Sequence, residues 1–169
     1  MLLTIAVIFA HIIAILATGT WRHWKEYYST NLYVIIGDMS YNMLFNERYL
    51  WRYHTLYDHR IADMVYALFV FQCAVMLFLR YYPKGVKKQG IYILAWTAVY
   101  TMIEYISIRI GNFSHHGGWN ILWSAGLYFI AFILIRMHYK NPLIVWPMSL
   151  GLVIAVMIIF QQPFHFSIE

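Results

Sequence analysis

The sequence predicts an all-α fold, a polytopic membrane helix bundle of about six transmembrane helices, and three observations carry that prediction. Of its 169 residues 62% are hydrophobic, more apolar surface than a soluble domain of this size can bury. Only 11% are charged, against roughly a quarter in ordinary soluble domains. Apolar runs long enough to cross a hydrocarbon core of about 30 Å recur along the chain. Lipid has to cover what the fold cannot, and a mean hydropathy of +0.59 agrees.

The first run, 2–19, lacks the basic n-region and the A-x-A site of a cleaved signal peptide. It is expected to stay as the first span. The second, 31–47, is the weakest, because it carries Asp38, Asn42 and Asn46, and a five-span arrangement competes with six on its account. NLYVIIGDMSYNMLF is nonetheless too hydrophobic and too strongly flanked by aromatics for an aqueous loop. Runs at 61–80, 90–110, 118–135 and 143–160 complete a single transmembrane domain over 1–169. The connections TWRHWKEYYST, ERYLWRYHTLYDHR, YYPKGVKKQG, GNFSHHGG and MHYKNP gather charges, glycines, prolines and amphipathic aromatics. Those residues suit interface anchors and turns. No repeat period or second domain is visible, and the connections are too short to hold one.

A net charge of +5 raises nucleic acid as a partner. The basic residues form short clusters between apolar runs rather than one face, which argues for lipid headgroups and against nucleic acid. Arg22, Lys25, Arg80, Lys84, Lys87, Lys88, Arg136 and Lys140 fall in alternate connections, with Arg48, Arg52, Arg60 and Arg109 in the others. That bias places both termini outside. Cys73 is the one cysteine and sits inside an apolar run, which leaves no disulfide framework and no thiolate metal site.

An ionised Asp or Glu near a helix centre costs about 2.5–3.5 kcal/mol on insertion scales, so such residues have to be paired, protonated or hydrated. Asp38, Asp63 and Glu104 are of this kind. Helical spacing adds polar or small neighbours on the same faces. These are Asn31, Asn42 and Asn46 around Asp38, and His59 four residues before Asp63. Thr97, Tyr100 and Thr101 accompany Glu104, and Trp119, Asn120, Trp123, Ser124 and Gly126 open the fifth run. In the first run Thr4, His11, Ala14 and Thr18 make a small and polar stripe suited to close helix contact. The simplest geometry is a polar pocket open to the outside, built from Asp38, Asn42, His59, Asp63, Tyr100, Glu104 and Asn120. Against that stands ordinary interhelical glue, worth about 0.6 kcal/mol per polar contact, which is the preferred reading for the asparagines and threonines.

Three activities fit such a pocket. The first is handling of an ion, proton or small solute, with Asp38 and Glu104 binding the cation. The second is membrane-embedded chemistry on a lipid or amphiphile, in which His59, Asp63, His115 or His116 and Glu104 would hold a divalent metal. That signal is weak, since His59 and Asp63 form only a pair and His115 and His116 cannot both project one way. Ser40 and Ser124 sit in no nucleophile elbow. The third is a structural or signalling role toward another membrane protein, and a homo-oligomer stays open as well. No cofactor is named by the sequence. All five lysines lie outside the runs, which argues against a buried Schiff base, and His11 is the one deep histidine, which argues against a haem held between helices.

Six segments together resemble an uncharacterised family of small multi-spanning membrane proteins found mainly in spore-forming bacteria. They are WRHWKEYY, GDMSYN, HRIAD, MIEYI, HHGGWNILWS and RMHYKNPLIVW, in that order between Trp21 and Trp146. The resemblance lies in order and spacing rather than in a catalytic signature. It implies a multi-pass protein of the bacterial cytoplasmic membrane, and it brings no activity and no catalytic residue with it.

Overall fold

A computed structural model of the chain describes residues 2–45, 48–54 and 59–161, apart from the side chains of Leu2, His59, Arg60 and Ala62. Helix α1 (Leu2–Ala17) is almost wholly apolar. Just past its end Gly19 takes φ 64°, a left-handed conformation that glycine adopts without strain. A 3₁₀ turn (Thr20–His23) then leads into α2 (Trp24–Leu44), bent by 76° from α1. The helix begins earlier than position 31 because WKEYYST, expected as a connection, is helical. Trp21, Trp24 and Tyr28 stay exposed there, and Arg22 and Lys25 lie over the Trp21 and Trp24 rings, the arrangement of an interfacial amphipathic turn.

Helix α3 (His59–Val65), a π-helical stretch (Tyr66–Phe71) and α4 (Gln72–Arg80) run on as one rod. A π stretch disturbs the carbonyl pairing of the helix, and no water at membrane depth can make good the loss. Gln72 Nε2 does so by donating to the Ala67 carbonyl at 3.0 Å. Helix α5 (Val86–Arg109) pairs most extensively with α6 (Ile121–Lys140). Helix α7 (Pro142–Ile159) carries Pro142 in its first turn, where the missing N–H is harmless.

The all-α membrane bundle is thus present, with six long helical rods. Asp63–Arg80, Val86–Arg109, Ile121–Lys140 and Pro142–Ile159 are each long and apolar enough to cross a bilayer. The first two rods pass the same test only as a bent pair, which gives four spans by length and composition, or five with that pair counted as one. The reason is physical: α1 has 16 residues, and α2 is diluted by Lys25, Glu26, Asn31, Asp38 and Asn42.

The sequence gives no warning of a small sheet that closes one end of the bundle. Strand β1 (Trp51–Tyr53) pairs antiparallel with β2 (Phe113–His115), in the register Trp51 to His115, Arg52 to Ser114 and Tyr53 to Phe113. Two further bonds extend the ladder, His54 N to the Asn112 carbonyl and His116 N to the Leu50 carbonyl, both at 2.8 Å. The α2–α3 and α5–α6 connections thereby form a lid.

At the opposite end the core centres on Phe78, which is fully buried. Its ring meets those of Tyr92, Trp96 and Phe132 at centroid distances of 5.4, 5.8 and 4.9 Å. Replacing Phe78 with Ala is expected to lower stability by about 3–5 kcal/mol, the usual cost of an aromatic-to-alanine cavity. Unfolding of the detergent-solubilised variant against wild type measures it.

Candidate functional site

Between α2, the α3–α4 rod, α5, α6 and α7, and beneath the β1–β2 sheet, lies a cavity of about 310 Å³. That is about twice the roughly 150 Å³ of an apolar cavity able to take up benzene. Aromatic side chains make much of the wall: Tyr41 from α2, Trp51 and Tyr53 from β1, Tyr66 from the π stretch, and Trp119 and Tyr128 from the α6 region. Aliphatic residues of α2, α6 and α7 make most of the rest. Three carboxylates face this surface, Asp38, Asp63 and Glu104.

Glu104 is buried on α5 and has both oxygens engaged. His115 Nε2 donates to Oε1 at 2.7 Å, and the Tyr128 hydroxyl donates to Oε2 at 2.5 Å. The first contact becomes an ion pair when the imidazole is protonated. Since His115 belongs to β2 and Tyr128 to α6, one carboxylate ties α5 to the lid and to its neighbouring helix. Charge-assisted bonds of this kind are about twice as strong as neutral ones.

One turn before Glu104, the Tyr100 hydroxyl lies 2.8 Å from His11 Nε2, and His11 Nδ1 lies 2.8 Å from the Val7 carbonyl. A carbonyl can only accept, so Nδ1 carries the proton, and in the neutral ring Nε2 accepts from Tyr100. The stripe predicted on the first span is used in this way, as helix contact rather than as a site. Thr18 instead donates locally, to the Ala14 carbonyl one turn back at 2.6 Å.

The lid is held by the rings themselves. Tyr41 stacks on Trp51 at 3.8 Å, and its hydroxyl accepts from the backbone N–H groups of Leu50 and Trp51 at 3.1 and 3.2 Å. Tyr53 stacks on Tyr66 at 4.7 Å. Burial holds the Tyr53 hydroxyl well above the ordinary phenol range, with nearby phenols and carboxylates adding to it. It therefore faces the cavity as a neutral group at any ordinary pH.

Asp38 differs from Glu104. Among the described residues no side chain or backbone group hydrogen-bonds its carboxylate, and its charge is close enough to that of Asp63 for the two to repel. Asp63 is buried at the start of the third rod. An acid at an apolar wall with no such donor is poorly compensated while it is ionised.

Of the residues singled out from the sequence, Asp38, Asp63, Tyr100 and Glu104 line the same cavity. Asn42 does not, since its amide donates to the Asp38 backbone carbonyl at 3.1 Å, within α2. Nor does Asn120, whose side-chain oxygen accepts from the N–H groups of Leu122 and Trp123 and so caps α6. The His59 side chain and Asn46 lie outside the described residues. His115 and His116 diverge: the former reaches Glu104, and the latter reaches Ser114 Oγ at 2.7 Å, which also meets His54 Nε2 at 2.8 Å. Among the described residues no three His, Cys, Asp or Glu side chains are grouped to hold a metal ion.

The sequence reading passed over Tyr128, Tyr41 and the strand aromatics. Tyr128 follows Ser124 by four positions, so helical spacing could have placed it on that inward face. Tyr41, Trp51 and Tyr53 gave no such signal, because their placement depends on a sheet formed between two loops.

Fold and cavity together define a class: an all-α membrane helix bundle with an acid-bearing, aromatic-walled interior cavity. No family model, curated protein or solved structure matches the chain.

If Glu104 is the clasp between lid and helices, His115→Ala and Tyr128→Phe are each expected to lower stability by about 1–3 kcal/mol, the range for leaving a buried polar partner unmet. The double variant is expected to fall short of the sum, since both changes act on one carboxylate. Thermal unfolding of the four proteins in detergent gives the cycle.

Proposed function

We propose that this protein binds and handles a small solute with a cationic end, taking that end at Asp38 and Asp63 and its apolar part against the aromatic and aliphatic wall. The single observation behind this reading is Asp38: a carboxylate facing a 310 Å³ cavity with no hydrogen-bond partner among the described residues. A charge so placed is compensated once a cation arrives. Glu104 is excluded from that role because both its oxygens are already engaged.

The wall argues about what kind of cation. A hard metal ion asks for six or more oxygen ligands, whereas here most of the surface is ring and hydrocarbon. Aromatic rings attract organic ammonium groups through their negative faces. An organic cation is therefore favoured over a bare metal ion. We place the protein in a bacterial cytoplasmic membrane, as its resemblance to the family in spore-forming bacteria implies, with an even number of crossings and both termini outside.

A charge-assisted contact is worth about 1.5–3 kcal/mol, so Asp38→Asn is expected to weaken binding of an organic ammonium by roughly tenfold or more. A tetraalkylammonium series titrated against protein in nanodiscs, followed by tryptophan fluorescence near Trp51 and Trp119, reads the affinity. Wild-type binding by both Asp38→Asn and Asp63→Asn would overturn the assignment.

A further inference from the structure

We infer that the cavity takes its ligand sideways from the bilayer, through the gap between α2 and α7, and that the ligand is an amphiphile with a cationic head. The inference rests on the reading that Asp38 and Asp63 receive a cation, and it adds the route and the tail.

Both ends of the cavity are covered. At the lid end Phe45, Leu50 and Trp119 are buried over it, with Tyr41 pinned to the Leu50 and Trp51 backbone. At the other end Tyr33 stacks on buried His138 at 4.3 Å and meets Trp146 edge-on at 5.3 Å, while its hydroxyl bonds Ser149 Oγ at 2.7 Å. That last bond joins α2 to α7. Toward the lid, Phe45 and Met157 bring the two helices into one buried cluster again.

Between those two joints the wall is thin. Gly37 and Asp38 from α2 and Leu152, Val153 and Val156 from α7 line the cavity there. Among the described residues that line the cavity, Gly37 is the exposed one, and a Cβ added to it would meet nothing within 4 Å. The neighbouring outward residues, Ile36, Leu150 and Ile154, are exposed and apolar, and only 11% of α7 is buried. This stretch of wall therefore faces lipid. A solute arriving through it comes from the hydrocarbon, so it has to carry an apolar tail. The head it presents has to be positive, because the acid beside Gly37 is Asp38, whose carboxylate faces the cavity with no hydrogen bond among the described residues. Gly37 precedes Asp38 directly, so the gap and the acid sit on adjacent residues of α2.

The test measures saturable binding of labelled dodecyltrimethylammonium and of tetramethylammonium to the full chain in phosphatidylcholine nanodiscs, with empty nanodiscs subtracted. Gly37→Leu and Val153→Phe obstruct the gap from opposite sides, and circular dichroism and melting confirm folding. If Gly37→Leu does not fold, Val153→Phe decides. We expect uptake of the long-chain cation to slow severalfold in both variants, and its saturable binding to weaken by roughly tenfold or more in Asp38→Asn. Tetramethylammonium is expected to bind roughly a hundredfold more weakly, the equivalent of three to four buried methylenes. Equal affinity for the two cations, with unchanged uptake by the gap variants, would overturn the lateral route while leaving cation binding at Asp38 intact. Full binding of both cations by Asp38→Asn would remove the underlying reading as well.

Discussion

A carboxylate buried at membrane depth has to be answered by donors from within the protein, and Glu104 finds one on β2 and another on α6. From that requirement much of the site follows. The His115 contact fixes the edge of the lid against α5, and pairing with β1 then fixes Trp51 and Tyr53 over the cavity. The Tyr128 contact sets the rotation of α6, which turns Ser124, Leu127 and Phe132 inward along the same face. Low polarity around the carboxylate makes each of these bonds stronger than its counterpart in water.

The acids thus divide the work between them. Glu104 is tied into the architecture, while Asp38 faces the cavity with no hydrogen bond to its carboxylate among the described residues, although by sequence both looked like members of one ligand set. Hydropathy and helical spacing treat every intramembrane acid alike, because each carries the same transfer cost. What separates them is the partner, and the partners come from β2 and α6, elements distant in sequence from both.

The same distinction decides how much of the rest was legible. Helical rods could be read from the apolar runs, and the Asp38, Tyr100 and Glu104 faces from spacing of three and four residues, because both depend on contacts within one element. The start of α2 at Trp24 was less legible, since WKEYYST carries as many interfacial anchors as helix formers. Asn120 looked like a pocket residue and serves as an N-cap, a role its place just ahead of ILWS could equally have suggested. The sheet was beyond reach. Strands of three residues in aromatic loops carry no periodic signal, and their pairing is settled by where α3 and α5 deliver their ends.

The pairing of β1 with β2 also has a consequence for biogenesis. A chain threaded into the bilayer in order delivers Trp51 to Tyr53 long before Phe113 to His115, with the α3–α4 rod and α5 still to be placed between them. During that interval the β1 backbone lacks its ladder partner, and the Tyr41 hydroxyl and stacked ring hold it near α2. Closure of the lid is therefore a late, long-range event, slow by the ordinary logic of loop closure. It comes only once α5 has presented Glu104 to the arriving His115. An insertion intermediate halted after α4 would have an uncovered cavity region and a dangling aromatic strand at the interface, the form of this protein best suited to recognition by membrane quality control.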